Sequence, residues 1–380
     1  MQRRHFLRAA VLGAGTSVAF GFSVTRQAIA FPALPGPSPY GDLLAADANG
    51  IMLPEGFTSR VLARATETVV GTNHTWHSAP DGGACFADGD GWIYVSNSEV
   101  PLTGGVSALK FNGAAEITDA YPILTGTTQN CSGGATPWNT WLSCEETDRG
   151  AVHETDPWGV RAAVRHPAMG LFKHEAAAVD PDREVVYLTE DESDGCFYRF
   201  VPTTWEDMSA GTLQVLTEDG SGLAWADVPD PAAGTTRTRE QVAAAKHFDG
   251  GEGAYYRAGT CYFTTKGDNR VWAYDAERDA LAVAYDDEIS NPPLTGVDNI
   301  TGTAAGDLYV AEDGGNMEIC LITPDDVVAP FLRVAGQDGS ELCGVAFSPA
   351  GDRLYFSSQR GTIGDSSGGI TYEVTGPFRG

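Results

Sequence analysis

The chain has 380 residues, 42% of them hydrophobic, with 24 basic and 51 acidic side chains and a formal net charge of −27. This balance excludes nucleic acid and anionic membrane surfaces as partners, and it would repel an anionic substrate unless bound cations reverse the local field. Forty-six glycines and 21 prolines favour turns and short strands over long helices, and seven scattered cysteines with no CxxC pair exclude a dense disulfide scaffold.

In chain order, the first predicted element is a leader over residues 1–30. Arg3-Arg4-His5-Phe6-Leu7 is a twin-arginine start, an apolar stretch runs from Ala9 to Val24, and Ala28-Ile29-Ala30 offers small residues to a signal peptidase. The expectation is export of a folded protein to the periplasm, the cell surface or the medium. That apolar stretch is too short and too weakly hydrophobic to span a bilayer, and no other stretch could cross one, so an integral membrane protein is not expected. Residues 31–48 read as a linker and residues 49–380 as one domain. Within it, the stretch PEGFTSRVL at 54–62 is a candidate strand for closing the fold.

An internal repeat follows. Six strand-like segments end in related ways: WIYVSNSE, TWLSCEE, VVYLTEDE, CYFTTKGD, LYVAEDGG and LYFSSQRG. Their central aromatics are Tyr94, Trp141, Tyr187, Tyr262, Tyr309 and Tyr355, spaced by 47, 46, 75, 47 and 46 residues. A period in the forties with several strands per repeat is that of a propeller blade, whose sheet faces stay wet until neighbours stack around an axis. The predicted fold is therefore all-β, a six-bladed β-propeller, expected as a monomer. The long spacing marks an insertion at about 202–249. Within it, Thr238–Lys246 is predicted to form a short helix, because Ala, Glu and Gln favour one. The region Asp148–Phe172 reads as an irregular excursion over one face.

In a propeller, the start of each blade's first strand and the end of its second meet near the axis at one mouth. Acids concentrate at both places. First-strand starts carry Glu175 (after His174), Glu252, Asp298 with Asn299, and Glu341; second-strand ends carry Glu145 and Glu146 (after Cys144), Asp191 and Glu192, and Glu312 and Asp313. Converging carboxylates repel one another, and only four lysines exist to offset them. Metal cations are the expected compensation. Oxygen-rich clusters suit Ca²⁺ or Fe³⁺, and the Cys144 thiolate would suit iron but not calcium.

The residues 130–146 (NCSGGATPWNTWLSCEE), Lys173-His174-Glu175-Ala176, Glu252-Gly253, Asp298-Asn299 and Glu341-Leu342-Cys343-Gly344 resemble the PhoX-type alkaline phosphatases. The resemblance runs from about residue 50 to the C-terminus. It implies twin-arginine export, six blades, and iron and calcium ions at the axial mouth acting on a small phosphorylated substrate. By resemblance, Cys144 and Glu146 would contact iron, and Glu175, Glu252 and the strand-end acids would bind iron or calcium. His174 and Asn299 are candidate substrate contacts. Typical members are longer, and they tend to carry an arginine two residues before the Glu-Gly, where this chain has Gly250. The competing expectations are a calcium-dependent lactonase or esterase, which needs no thiolate, and a non-catalytic binding propeller.

Overall fold

The computed structural model describes residues 32–380; the leader expected over 1–30 lies outside them. Six small sheets form a ring, a six-bladed β-propeller. Blade 1 comprises the strands Pro80–Asp88, Gly91–Ser98, Gly104–Phe111 and Ile117–Thr127 from axis to rim. Blade 2 comprises Asn130–Ala135, Trp141–Glu145, Val152–Thr155 and Val164–His166. Blades 3, 4 and 5 begin with His174–Asp180, Gly251–Arg257 and Val297–Gly302. Blade 6 begins with Leu342–Phe347, and its outermost strand is Thr58–Arg64, paired antiparallel to Ile370–Thr375. An early strand thus closes the ring, as the sequence 54–62 suggests. Each inner strand packs on the next, and the last packs on the first.

The core lies in the gaps between blades. Six apolar clusters fill these gaps, one for each neighbouring pair. Tyr94, Tyr187, Tyr309 and Tyr355 are fully buried and Trp141 nearly so. Burying a side chain of this size contributes roughly 1.5–3 kcal/mol, which is why these aromatics recur at one place in every repeat.

Three expectations are corrected. Asp148–Phe172 is largely no excursion: it supplies the two outer strands of blade 2. The segment read as a linker is laid against the rim of blade 5, where Leu34–Pro35 pairs with Val327–Val334. The insertion is mostly β, extending blade 3 with Asp207–Asp219 and Gly222–Asp227. Its expected helix is reduced to a 3-10 turn at Thr238–Glu240. Beyond it, Ala245 bridges Thr217, and Lys246 N–H donates to the Leu216 carbonyl. Tertiary strand pairing outweighs the few tenths of a kcal/mol per residue that helix propensity offers. Among the described residues no helix is long and apolar enough to cross a membrane.

Candidate metal centre

In each blade, one pairing between the first and second strands fixes the level of the mouth. These pairs are Pro80 with Ser98, Asn130 with Glu145, His174 with Glu190, Gly251 with Thr265, Val297 with Glu312 and Leu342 with Ser358. The next residue of the first strand is Asp81, Cys131, Glu175, Glu252, Asp298 or Cys343. In the first five blades the register then slips by one residue, so this side chain opens a β-bulge. A bulge re-aims its side chain out of the ladder, here toward the axis. In blades 1 and 4 the residue after it has no room for a side chain. A Cβ on Gly82 would come within 2.5 Å of Ser132 Cα, and one on Gly253 within 2.7 Å of Asn299 Cα. In blade 6 the slip comes one residue later, so Cys343 stays paired and its thiol donates to the Pro80 carbonyl at 3.1 Å. Glu341, just before that strand, takes its place.

The residue beyond the second strand's paired end forms an upper ring: Glu99, Glu146, Asp191, Lys266, Asp313 and Gln359. The two rings interlock. Ligand atoms of Asp81, Glu99 and Cys131 lie within 4.8 Å of one another, as do those of Cys131, Glu146 and Glu175, and those of Glu175, Glu252 and Asp298. Cys131 therefore links two groups and Glu175 links two. Gln359 Nε2 donates to Asp81 Oδ2 at 2.6 Å and to Glu99 Oε2 at 2.7 Å.

Three cations stand among these acids. Lys266 Nζ lies 2.6 Å from Glu252 Oε1 and 2.9 Å from Asp191 Oδ2; Lys173 Nζ lies 2.9 Å from Glu146 Oε1; Arg360 Nη2 lies 2.6 Å from Glu341 Oε2. They do not balance the carboxylates. Burial, then Glu252, Glu146, Asp298 and Asp81, push Glu175 well above the usual carboxylate range. Burial also raises Asp81, Glu252 and Asp298, and drives Glu146 and Glu341 up to about 8. Burial would raise Asp191 too, but Lys266 and Lys173 hold it below its ordinary value. Burial and then Asp81, Glu175, Glu99 and Glu146 push the Cys131 thiol upward.

Glu175 is fully buried, and neither of its carboxylate oxygens has a hydrogen-bond partner. Such a group costs several kcal/mol unless a cation faces it. The donor set fits both ions implied by the sequence: hard oxygens for calcium, and one thiol for a softer ion.

The expected site residues divide by strand alternation. Glu146, Glu175, Asp191, Glu252, Asp298, Asp313 and Glu341 belong to the mouth. Glu145 and Glu312 do not, because successive strand residues point to opposite sides. Both turn into their blades and close loops: Glu145 Oε2 accepts from Ala151 N–H at 3.2 Å, and Glu312 Oε2 from Glu318 N–H at 2.9 Å. Glu190 does the same for Cys196 N–H at 3.1 Å. Glu192 is drawn 3.4 Å from Arg239 of the insertion.

Cys144 lies opposite the blade 2 bulge but on the apolar face, among Leu142, Val152 and Phe172; the thiol at the mouth is Cys131. His174 is stacked on Phe172 at 3.6 Å and bonded to the Gly170 carbonyl, and burial holds it down at about 4. The Asn299 amide is spent on Asp298 Oδ1 and Gly344 N–H. His174 is fully buried, whereas Asn299 also lines the cavity enclosed by the inner strands of the six blades. Asp81, Glu99, Cys131, Lys266, Gln359 and Arg360 were not singled out from the sequence as site residues. Aligning the six repeat ends on their last paired residue would have found the upper ring.

Arg239 secures the wall behind the mouth, since its guanidinium also lies 2.8 Å from Glu190 Oε1 and 2.8 Å from Asp194 Oδ1. Arg239→Ala strands the buried Glu190 carboxylate and is expected to cost about 3–5 kcal/mol. Denaturant unfolding measures this; an unchanged midpoint would show that Glu190 does not depend on the arginine.

The family model described as alkaline phosphatase PhoX matches residues 88–157 and 148–280, just over half of the chain. That span holds Cys131, Glu146, Glu175, Asp191 and Glu252; Asp81, Asp298, Glu341 and Arg360 lie outside it. No curated protein matches. Among solved structures, a gluconolactonase from Xanthomonas campestris is 13% identical, covering 90% of this chain and 99% of its own, with a TM-score of 0.50. A protein of unknown function from Bacteroides thetaiotaomicron is 10% identical, covering 84% of this chain and 76% of its own, with a TM-score of 0.51. At such identities these two likenesses bear on the fold alone.

Proposed function

Because the chain belongs to the PhoX alkaline phosphatase family, we propose that it is a metal-dependent hydrolase of phosphate mono- or diesters working at the axial mouth. The observation that carries this reading is Glu175: a fully buried carboxylate with two unpartnered oxygens where two ligand groups meet. Cys131, Glu146, Glu175, Glu252 and Asp298 would hold the inner ions, with Asp81 and Glu99 completing the set on the blade 1 side. We assign iron to the neighbourhood of Cys131 and calcium to the purely oxygen-lined group. Bound cations would neutralise charge and supply Lewis acidity toward a phosphoryl group.

The chain's own residues do the rest. Lys266 fixes Glu252 and Asp191, Arg360 fixes Glu341, and Gln359 fixes Asp81 and Glu99. These contacts leave the ligand oxygens oriented before an ion arrives, which lowers the entropy cost of assembling the site. Gly250 adopts φ +70°, and a Cβ there would meet Lys266 Cγ at 3.0 Å. Lys266 thus occupies space that a longer residue at 250 would need. We propose that Lys266 supplies the positive charge on that side. The twin-arginine motif leads us to propose export as well, by a route that moves proteins already folded and loaded.

The test is elemental analysis of native protein together with hydrolysis of p-nitrophenyl phosphate and its diester. Iron with calcium and release of nitrophenol are expected; calcium alone, with lactone hydrolysis instead, would replace this reading. Cys131→Ser is expected to lose iron and at least about a hundredfold in kcat/KM. Cys144→Ala should keep its metal and lose only roughly 1–2 kcal/mol of stability through the cavity it leaves. Iron that follows Cys144 rather than Cys131 would overturn the ligand assignment.

A further inference from the structure

Beside the mouth lies a separate cavity of about 220 Å³. Its walls are the loop after Glu146, which contributes Asp148 and Arg149, the segment Leu171-Phe172, and the insertion, which contributes Arg237 and Arg239. Lys173 directly follows Phe172, and its ammonium group touches the mouth acids Glu146 and Asp191 at 2.9 and 3.3 Å. Glu192, next to Asp191, is tied to Arg239. Phe172 thus lines the cavity while its neighbour Lys173 reaches the mouth acids.

Three arginines and one acid line this cavity, in a chain whose formal net charge is −27. Arg149 donates from Nη1 to the Ala233 carbonyl at 2.8 Å and from Nη2 to the Ala232 carbonyl at 2.9 Å, so neutral oxygens hold its guanidinium and its charge is not cancelled. Arg237 is exposed and has no carboxylate partner among the described residues. Arg239 is nearly buried and spends its charge on Glu190, Glu192 and Asp194, which leaves it as the wall that carries Arg237. Asp148 is the one acid lining the cavity. Two guanidinium groups with uncancelled charge around a small hollow are a site for a tetrahedral or planar oxyanion. Its volume suits one such group with a few waters, not a large leaving group.

We propose that this cavity is a second anion subsite, selecting phosphate esters that carry a further phosphate a short linker away from the reacting one. It rests on the phosphatase reading and deepens it: bisphosphates, rather than isolated monoesters, are the preferred substrate class. In a protein this acidic, a local cationic rim also offsets the long-range repulsion of a doubly charged substrate.

The test compares fructose 1,6-bisphosphate with its monoester fructose 6-phosphate on the metal-loaded protein. Wild type is expected to favour the bisphosphate in KM by about tenfold, the worth of one charge-assisted contact. Arg237→Gln, which removes no structural bond, should erase most of that preference; Arg149→Gln with Arg237→Gln should erase all of it. Hydrolysis of fructose 6-phosphate should stay within about twofold in both variants. No preference in wild type, or equal losses on both esters, overturns the subsite. Calorimetric binding of the bisphosphate separates the two readings. Should neither ester be cleaved, the phosphatase reading falls; bisphosphate binding weakened about tenfold by Arg237→Gln would then still uphold the subsite, and unchanged binding would overturn it.

Discussion

Glu175→Gln is expected to strip the inner metal and lower kcat/KM for phosphate esters by at least about a hundredfold, while leaving the metal-free fold no less stable than wild type. The two halves have one cause. Glu175 is fully buried with neither oxygen hydrogen-bonded, so without a cation it holds its proton to unusually high pH. An amide of nearly the same shape removes the charge that would attract an ion, and it also removes the penalty of ionising at that place. At alkaline pH the metal-free variant should therefore melt a few degrees above metal-free wild type. Glu145→Gln provides the contrast. That carboxylate accepts from Thr128 N–H and Ala151 N–H, so its loss is expected to cost roughly 1–3 kcal/mol and leave the metal in place. Full metal content in Glu175→Gln, measured by elemental analysis, would remove Glu175 from the ligand set.

The second large effect is on the pH dependence of the metal-free protein. Glu146 and Glu341 ordinarily titrate near 4.5, and burial with neighbouring acids raises both to about 8 in the fold. Across that interval the folded state holds protons that the unfolded chain has released. Stability is therefore fully present below the ordinary value and falls as pH rises through about 8. Glu175, Glu252, Asp81 and Asp298 shift in the same direction and deepen the fall. Asp191 shifts the other way, and its contribution is lost only in acid. Metal-loaded protein should show no such alkaline decline, and loading at neutral pH should release protons into a weak buffer. Thermal melts of chelator-treated and native samples at several pH values check this. Parallel pH curves for the two samples would mean that the mouth acids are balanced without metal.

The blade count was legible because each repeat carries its own aromatic anchor, and every gap between blades must be filled by the same kind of residue. Which of two adjacent acids faces the axis was much harder to read. Glu145 and Glu146 differ by one residue, and so do Glu312 and Asp313; with a side-chain period of two, that single step decides between a loop clasp and a place at the mouth. Cys144 and Cys131 pose the same problem across a bulge, since Cys144 points into the apolar gap while the slipped register turns Cys131 toward the mouth. Thr238–Lys246 reads as a helix because Ala, Glu and Gln favour one locally, whereas the structure leaves it a 3-10 turn followed by a turn, tied to Thr217 through Ala245.

By itself, the sequence determined an acidic all-β ring of six repeats with carboxylates gathered at one end, because periodic burial and strand patterning are local and repeat. Only the tertiary structure decided which carboxylates lie close enough to share an ion, that Cys131 is the thiol among them, and that Lys266, Gln359 and Arg360 orient them. Those choices depend on six bulges meeting at an axis, where side chains far apart along the chain come close enough for charge and desolvation to couple them.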